Sequence, residues 1–195
     1  MHASDDARSI LVVSSNENAE KYINGFLGDK RSNEITNVTS GVQARRAILS
    51  RTFDAVIINA PLNDEFGNEL ALYVSENEIS GIILIVKNDV YEQTAYELEA
   101  YGIAVLPKPL NSHLFYMCYN ITMAAYEKLQ RLNKENEKLQ KKINEIRVVN
   151  KAKWTLIEYR GMSEEEAHRY IEKQAMDTRA SRGRVAEHII KTYKD

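Results

Sequence analysis

The glycines and prolines of this chain are concentrated in its first 109 residues. All three prolines and six of the eight glycines lie at or before Pro109, whereas residues 110–160 contain neither. Because glycine and proline interrupt helices, these 51 residues favour one long helix. At 1.5 Å per residue such a helix would be roughly 70 Å long, which is too long for one globular core. The 195-residue chain is therefore interpreted as one compact domain followed by a helical appendage.

Five short, nearly all-apolar runs alternate with amphipathic stretches in the first part of the chain. They cover residues 10–14, 34–38, 55–59, 82–86 and 104–106. Runs of this kind, separated by helices, predict a doubly wound α/β domain with a five-stranded parallel sheet covered on both faces. In a domain of this class the ligand sites lie at the carboxyl ends of the strands.

Composition excludes several classes of protein. Hydrophobic residues make up 44% of the chain and charged residues 28%, which is typical of a folded protein. The single cysteine, Cys118, excludes an intramolecular disulfide framework and a thiol cluster for zinc. No apolar run is long enough to span a membrane, and residues 1–6 do not resemble a signal peptide. We expect a cytoplasmic protein without a metal or a cofactor.

Charge is distributed unevenly along the chain. The net charge is −7 up to Tyr126, +3 over residues 127–150 and +2 from Lys151 onward. This asymmetry predicts that any polyanion binds the C-terminal part.

The residues that follow the predicted strands carry a resemblance to a known family. The layout of residues 8–122 resembles the receiver domain of two-component response regulators, which implies a receiver-like, flavodoxin-like sheet. In that family an acidic pair holds magnesium, an aspartate accepts phosphate, a hydroxyl residue follows strand four and an aromatic residue lies in strand five. The matching positions hold Ser14, Ser15, Asn59, Val86 and Val105, and only Lys108 with Pro109 follows the family pattern.

These replacements remove the groups that phosphate chemistry requires. An asparagine amide is not an anionic nucleophile, and serine hydroxyls are weak ligands for a hard cation. The sequence therefore predicts a pseudo-receiver that is not phosphorylated, with Lys108 hydrogen-bonded to Asn59 as a structural tie. The alternative is that Asp54, Asp64 or Glu65 replaces the missing acids instead of lying on the surface.

No other catalytic constellation is recognisable. The four histidines, His2, His113, His168 and His188, lack metal-binding spacing, and no glycine-rich phosphate loop occurs. Cys118 falls on a helical seam and is interpreted as a packed side chain, the alternative being a nucleophile. We expect no enzymatic activity.

Apolar residues in the long predicted helix repeat with the 3,4 spacing of a coiled coil. The repeat comprises Leu129, Leu132, Asn136, Leu139, Ile143 and Ile146. A single asparagine at an a position favours a parallel two-stranded coil, so we predict a homodimer joined over residues 123–150. The alternative is an amphipathic helix packed on its own chain. Continued backward, the same seam would include Phe115 and Cys118.

Two short helices are predicted after the long one. Gly161 is a helix stop, and Ser163 with Glu166 has the pattern of a capping box. Ser181 is placed to cap the last helix. Residues 151–195 would then form a small three-helix bundle.

The bundle resembles the ANTAR domain of transcription-antitermination regulators. The matching positions are Ala152, Lys153, Leu156, Gly161, Ser163, Glu166, Ala167, Ala175, Met176, Val185 and Ala186. A pseudo-receiver over residues 1–122, a coiled coil and this bundle also follow one another in the family's order. The resemblance implies a dimeric regulator that binds a nascent transcript with two small hairpins, whose formation prevents a terminator hairpin.

Basic residues of the bundle are candidates for contacts with RNA phosphates, although each could equally lie on a solvated face. They are Lys151, Lys153, Arg160, Arg169, Arg179 and Arg184, with Lys153 placed by the motif. Trp154 is a candidate for stacking on a base, the alternative being packing against neighbouring helices. Arg182 stands where the family has an apolar residue, and it would either leave a gap or extend outward.

Two other functions are left open by the sequence. Because the net charge from Lys151 onward is only +2, the bundle could instead dock a protein, with the coil as an interaction module. A DNA-binding response regulator is a further alternative, although no helix-turn-helix signature is present. In the favoured interpretation the front domain receives its signal from a sensor protein or a small ligand.

Overall fold

The computed structural model describes residues 7–28 and 33–194, and the chain divides into two compact units between Arg131 and Leu132. The predictions made for residues 1–6, which include His2, lie outside the described residues, as do residues 29–32 and residue 195 of the predicted domains. None of the helices in the described part is long and apolar enough to cross a membrane.

The first unit is built on a parallel sheet of five strands in the order β2-β1-β3-β4-β5. The strands are β1 (Ser9–Ser14), β2 (Glu34–Val38), β3 (Ala55–Asn59), β4 (Gly81–Lys87) and β5 (Ala104–Lys108). The predicted five-stranded doubly wound sheet is therefore confirmed. Helices cover both faces of the sheet, and β3 is therefore buried along its whole length. This burial explains why the strand sequences are apolar at nearly every position.

Helices cover the two faces of the sheet unequally. Four of them are α1 (Glu17–Gly28), α2 (Gly41–Ser50), α3 (Asn68–Asn77) and α4 (Tyr91–Leu98), and 3₁₀ turns flank α4 at Asn88–Val90 and Glu99–Tyr101. One core contains Leu11 and Val13 of β1 with residues of α2, α3 and α4. The other contains Ile10 and Val12 with residues of α1 and of the start of the long helix that follows β5. The alternation along β1 thus directs successive side chains to opposite faces.

The long helix α5 spans Ser112–Arg160, as the absence of glycine and proline predicted. The backbone N–H of Leu114 donates to Oδ1 of Asn111 at 3.1 Å, so Asn111 caps the helix start. Phe115, Tyr119 and Met123 follow at four-residue steps and are buried in the core of the first unit. The backward extension of the coiled-coil seam is therefore wrong for Phe115, because that side chain fills the core of its own domain.

The second unit contains the C-terminal part of α5 together with α6 (Glu164–Thr178) and α7 (Arg182–Lys194). Gly161 ends α5 with a φ of +65°, a conformation that glycine adopts without strain. Ser163 Oγ accepts the N–H of Glu166 while the Glu166 carboxylate accepts the N–H of Ser163, which confirms the capping box. Seven small or apolar residues form the buried centre, namely Ala152, Leu156, Ala167, Ile171, Val185, Ala186 and Ile189.

Candidate functional site

The carboxyl ends of β1 and β3 bring Ser14 and Asn59 together. The two residues are direct partners in the parallel register, and both are almost completely buried. The Asn59 amide nitrogen donates to Ser14 Oγ at 2.9 Å. Ser14 Oγ in turn donates to the carbonyl oxygen of Asn16 at 3.0 Å, so it acts within a local hydrogen-bond network. Neutral groups therefore occupy the positions where the receiver family has acids.

The neighbouring predicted positions also have structural partners. Ser15 donates its hydroxyl hydrogen to the carbonyl oxygen of Pro61 at 3.1 Å. Val86, at the position of the family's hydroxyl residue, is completely buried in the first core.

Lys108 bonds differently from the prediction. Its ammonium group donates to the carbonyl oxygen of Ala60 at 2.5 Å, and not to Asn59. Asn59 is oriented by its bond to Ser14, so the lysine takes the main-chain acceptor one residue further along. Burial lowers the pKa of Lys108, and the positive charge of Lys87 lowers it further.

The three acids considered as replacements are bound elsewhere in the front domain. Asp54 accepts the N–H of Ser9 at 2.8 Å and the hydroxyl hydrogen of Tyr126 at 2.6 Å. Asp64 accepts two N–H groups at the start of α2, at 2.9 and 3.0 Å, and these bonds lower its pKa. Glu65 forms a bidentate ion pair with Arg45 at 2.5 and 2.9 Å. All three carboxylates thus stabilise the fold.

A cavity of about 470 Å³ opens beside Asn59, and we call it the front cavity. Its lining residues are Asn16, Ala19, Tyr22, Ile23, Asn59, Ile85, Lys108, Pro109 and Leu110. It lies at the carboxyl edge of the sheet, where ligand sites of this fold class occur. No group of three or more His, Cys, Asp or Glu side chains in the described part of the chain is arranged to hold a metal ion.

Cys118 is partly buried on α5 and packs against the core of the front domain. Burial raises the pKa of its thiol, which disfavours the reactive thiolate.

The predicted coiled-coil residues are exposed in the single chain. The exposed fractions are 56% for Leu129, 52% for Leu132, 58% for Leu139, 43% for Ile143 and 60% for Ile146. Asn136 is exposed as well. Such a row of large apolar side chains leaves apolar area in water in the single chain.

Trp154 is 70% exposed on α5, so it does not pack against the neighbouring helices. Lys151 lies three residues before it and is also exposed. Arg147, which the sequence reasoning missed, is exposed four residues before Lys151. Spacings of four and three residues place the three side chains on one face of the helix, and this spacing could have been found in the sequence. We call these residues the tryptophan face.

Lys153 lies on a different side of α5 and is mostly buried. Its ammonium group forms an ion pair with Glu164 at 3.0 Å, and only 17% of its side chain is exposed. It lines a cleft of about 410 Å³ together with Lys142, His168 and Arg182. Arg182 extends outward, as one of the two predicted alternatives has it, and contacts Glu172 at 3.5 Å.

Arg160 and Arg169 are brought together where α5 ends and α6 begins. Both line a shallow cleft of about 480 Å³ with Tyr170 and Lys173, two residues that the sequence reasoning did not single out. The Arg160 guanidinium lies 5.5 Å from the centroid of the Tyr170 ring. Arg169 forms an ion pair with Glu165 on the same helix.

The remaining two candidates lie at the opposite end of α6. Arg179 ends α6 in a left-handed conformation with a φ of +51°, and Arg184 lies in the first turn of α7. Both are exposed. The seven predicted RNA-binding residues therefore occupy separate surfaces of the second unit.

Comparisons with known proteins find similarities for both units. Residues 137–190 match the family model of the ANTAR domain. The chain is 24% identical over 139 residues to the transcriptional regulatory protein PdtaR of Mycobacterium tuberculosis, covering 71% of this chain and 68% of that protein. It is 30% identical over 94 residues to the aliphatic amidase regulator of Pseudomonas aeruginosa, covering 48% of this chain and 47% of that protein.

Solved structures support the fold of the first unit. A signal receiver domain of an HD domain-containing protein from Pseudomonas fluorescens aligns with a TM-score of 0.58 at 20% identity, over 67% of this chain and 97% of that one. A response regulator receiver domain protein from Clostridium thermocellum aligns with a TM-score of 0.56 at 15% identity, over 63% of this chain and 98% of that one. Residues 137–190 therefore match the ANTAR domain, and the N-terminal unit has the receiver fold.

Proposed function

We propose that the protein is a dimeric antitermination regulator that binds two-hairpin leader RNA through its ANTAR domain. The observation that carries the proposal is the tryptophan face, a largely exposed Trp154 flanked by Lys151 and Arg147 within the residues matched to the ANTAR family. Hairpin loops can present unstacked bases to an aromatic ring, and neighbouring cations can neutralise the flanking phosphates.

The other basic surfaces contribute less to base recognition in this proposal. Lys153 is held by Glu164, so its charge is partly compensated. Arg160 keeps one exposed face beside Tyr170 and is better placed for a phosphate. Arg179 and Arg184 would contact RNA phosphates only at the edge of the proposed interface.

Dimerisation is proposed through the exposed seam of α5. Leu132, Leu139 and Ile146 are the d positions of a repeat that has Asn136 at an a position. In a parallel pair the Asn136 amides bond to each other, which fixes the register. Two bundles would then face two hairpins, and the second contact would be effectively intramolecular.

The front domain is proposed to respond without phosphorylation. Asn59 offers an amide where an acyl phosphate needs a carboxylate, and Ser14 and Ser15 are engaged in hydrogen bonds within the protein. Its signal would come from a sensor protein or from a small ligand.

The test of RNA binding is a gel-shift titration of the full chain with a two-hairpin leader RNA. Trp154→Ala should weaken binding about 5- to 150-fold, the range for loss of one stacked base. Tyr96→Ala is the matched control, because Tyr96 is 78% exposed on the front domain. Equal affinity for duplex DNA, or no difference between the two variants, would overturn the proposal.

A salt titration separates RNA binding from protein docking. Contacts with phosphates release counterions, so affinity should fall steeply as salt rises. Lys151→Ala should reduce the slope by about one, whereas Lys191→Ala, an exposed lysine of α7, should not.

A further inference from the structure

The lining of the front cavity combines apolar side chains with polar groups. Ile23, Ile85 and Leu110 are among its apolar residues, and its polar groups belong to Asn16, Tyr22, Asn59 and Lys108. Asn59 is only 4% exposed, and its amide donates one hydrogen to Ser14. An amide nitrogen carries two hydrogens, so a second donor remains.

Lys108 gives the lining of the cavity a positive charge. Its ammonium group uses one hydrogen for the Ala60 carbonyl oxygen, which leaves two donors. None of the described residues that line the cavity is acidic. Lys87, the strand partner of Lys108, adds a second positive charge nearby. The charge of the site is thus the opposite of that of a magnesium site.

The wall of the cavity is fixed by two hydrogen bonds. Tyr22 on α1 donates its hydroxyl hydrogen to the carbonyl oxygen of Leu110 at 3.3 Å, which ties α1 to the segment after β5. Asn16 accepts the N–H of Ala19 at 3.0 Å, so its side chain caps α1.

We propose that the front cavity binds a small organic carboxylate, with the carboxylate at Lys108 and Asn59 and an apolar body against Ile23 and Leu110. The proposal names the ligand that the proposed function leaves open, and its regulatory meaning rests on that function. Ammonium and amide donors match carboxylate oxygens, and charge-assisted bonds of this kind are strong where water is excluded. Volumes of several hundred Å³ with few polar groups are typical of small-molecule sites.

Other ligand classes fit the cavity less well. A divalent cation would meet an ammonium group and no described carboxylate. Inorganic phosphate would find the donors but leave the apolar wall without a partner. A neutral amide would fill the space but would not use the charge of Lys108.

The cavity is connected to the start of α5. Lys108 and Leu110 immediately precede Asn111, which caps α5. A ligand that bonds Lys108 and packs on Leu110 would therefore contact the segment from which α5 begins. This continuity is the route by which occupancy would reach the helix.

The test is direct binding to the full chain, measured by calorimetry and by amide chemical shifts. The probes are benzoate and isovalerate, each paired with its uncharged amide, benzamide and isovaleramide, and inorganic phosphate is a further arm. We expect each carboxylate to bind at least about tenfold more tightly than its amide and than phosphate, the difference of one charge-assisted hydrogen bond. The largest shifts should be at Ala19, Ile23 and the Asn59 side chain.

Matched variants localise the charge. Lys108→Met should weaken carboxylate binding at least about tenfold, whereas Lys128→Met, which removes an exposed charge on α5 outside the lining, should change it less than about twofold. Asn59→Asp should also weaken it, because it introduces a negative charge beside Lys108. Retained thermal unfolding temperatures separate loss of binding from loss of fold.

Two results would overturn the proposal: no carboxylate binding to the wild-type chain, or equal binding by the Lys108→Met variant. Preferential binding of phosphate, or equal binding of the amides, would also contradict it. The RNA titration without ligand tests the proposed function separately. RNA binding without carboxylate binding would reject the cavity alone, and the reverse would reject the RNA function alone.

Discussion

Tyr126 on α5 donates its hydroxyl hydrogen to Asp54, with 2.6 Å between the tyrosine oxygen and Oδ1. Asp54 directly precedes β3 and also accepts the N–H of Ser9 from β1 at 2.8 Å. One carboxylate therefore joins two strands of the sheet to the long helix. Arg8 and Glu127 form an ion pair at 2.5 Å beside it. The amino ends of β1 and β3 are in this way fastened to α5.

Tyr126→Phe should lower the free energy of unfolding by about 1–2 kcal/mol, because it leaves one Asp54 oxygen without its donor. The measurement is urea denaturation of the full chain. Tyr96→Phe is the control, since the Tyr96 side chain is 78% exposed and should tolerate the change within about 0.5 kcal/mol. Equal effects of the two substitutions would show that the bond to Asp54 does not stabilise the protein.

The pair formed by Tyr126 and Asp54 predicts that the free energy of unfolding decreases at alkaline pH. Burial raises the pKa of Tyr126 to about 12, and the negative charge and hydrogen bond of Asp54 act in the same direction. A pKa raised above its unfolded value of about 10 means that the protonated hydroxyl stabilises the fold fully below about pH 10. This contribution is lost as pH rises from about 10 to 12.

Ultraviolet titration checks this assignment. The chain has 11 tyrosines, so the spectrum at 295 nm should be compared between the wild-type chain and Tyr126→Phe. The difference should show one tyrosine ionising near pH 12. A difference curve centred near pH 10 would contradict the assignment.

The sheet could be predicted because its signals are local. A run such as residues 55–59 is apolar at every position, and only burial on both faces accommodates it. The capping box of Ser163 and Glu166 was likewise predictable, since both groups lie within one turn. Elements set by adjacent residues therefore agree between sequence and structure.

Partners that are distant in sequence were less predictable. Lys108 was expected to bond Asn59, but the side chain of Asn59 is oriented by Ser14, which lies 45 residues away. Phe115 fits the coiled-coil spacing, yet the same position also fits the core face of the receiver domain, and periodicity does not choose between two partners. The exposure of Trp154 depends on where α6 and α7 pack, which its own neighbours do not encode.

Acetyl phosphate with magnesium should leave the mass of the protein unchanged. Asn59 cannot form an acyl phosphate. The acids nearest in sequence are bound to Ser9 and Tyr126, to the start of α2 and to Arg45. Intact-mass spectrometry after incubation is the measurement, with a phosphorylatable receiver protein in the same buffer as the positive control. An added phosphoryl group on the wild-type chain would refute the pseudo-receiver proposal, and its position would identify the acceptor.

Leu139→Lys should convert the proposed dimer to a monomer. The Leu139 side chain is 58% exposed in the single chain, and in a parallel coil it would be buried at a d position. Two lysines facing each other across the seam would repel and lose apolar burial, at a cost of several kcal/mol per dimer. Sedimentation equilibrium measures the result.

Lys141→Ala is the control, since Lys141 lies on the outer face of the same repeat and should leave the dimer intact. A wild-type chain that sediments as a monomer at micromolar concentration would contradict the seam, whereas a Leu139→Lys dimer would place the contact elsewhere.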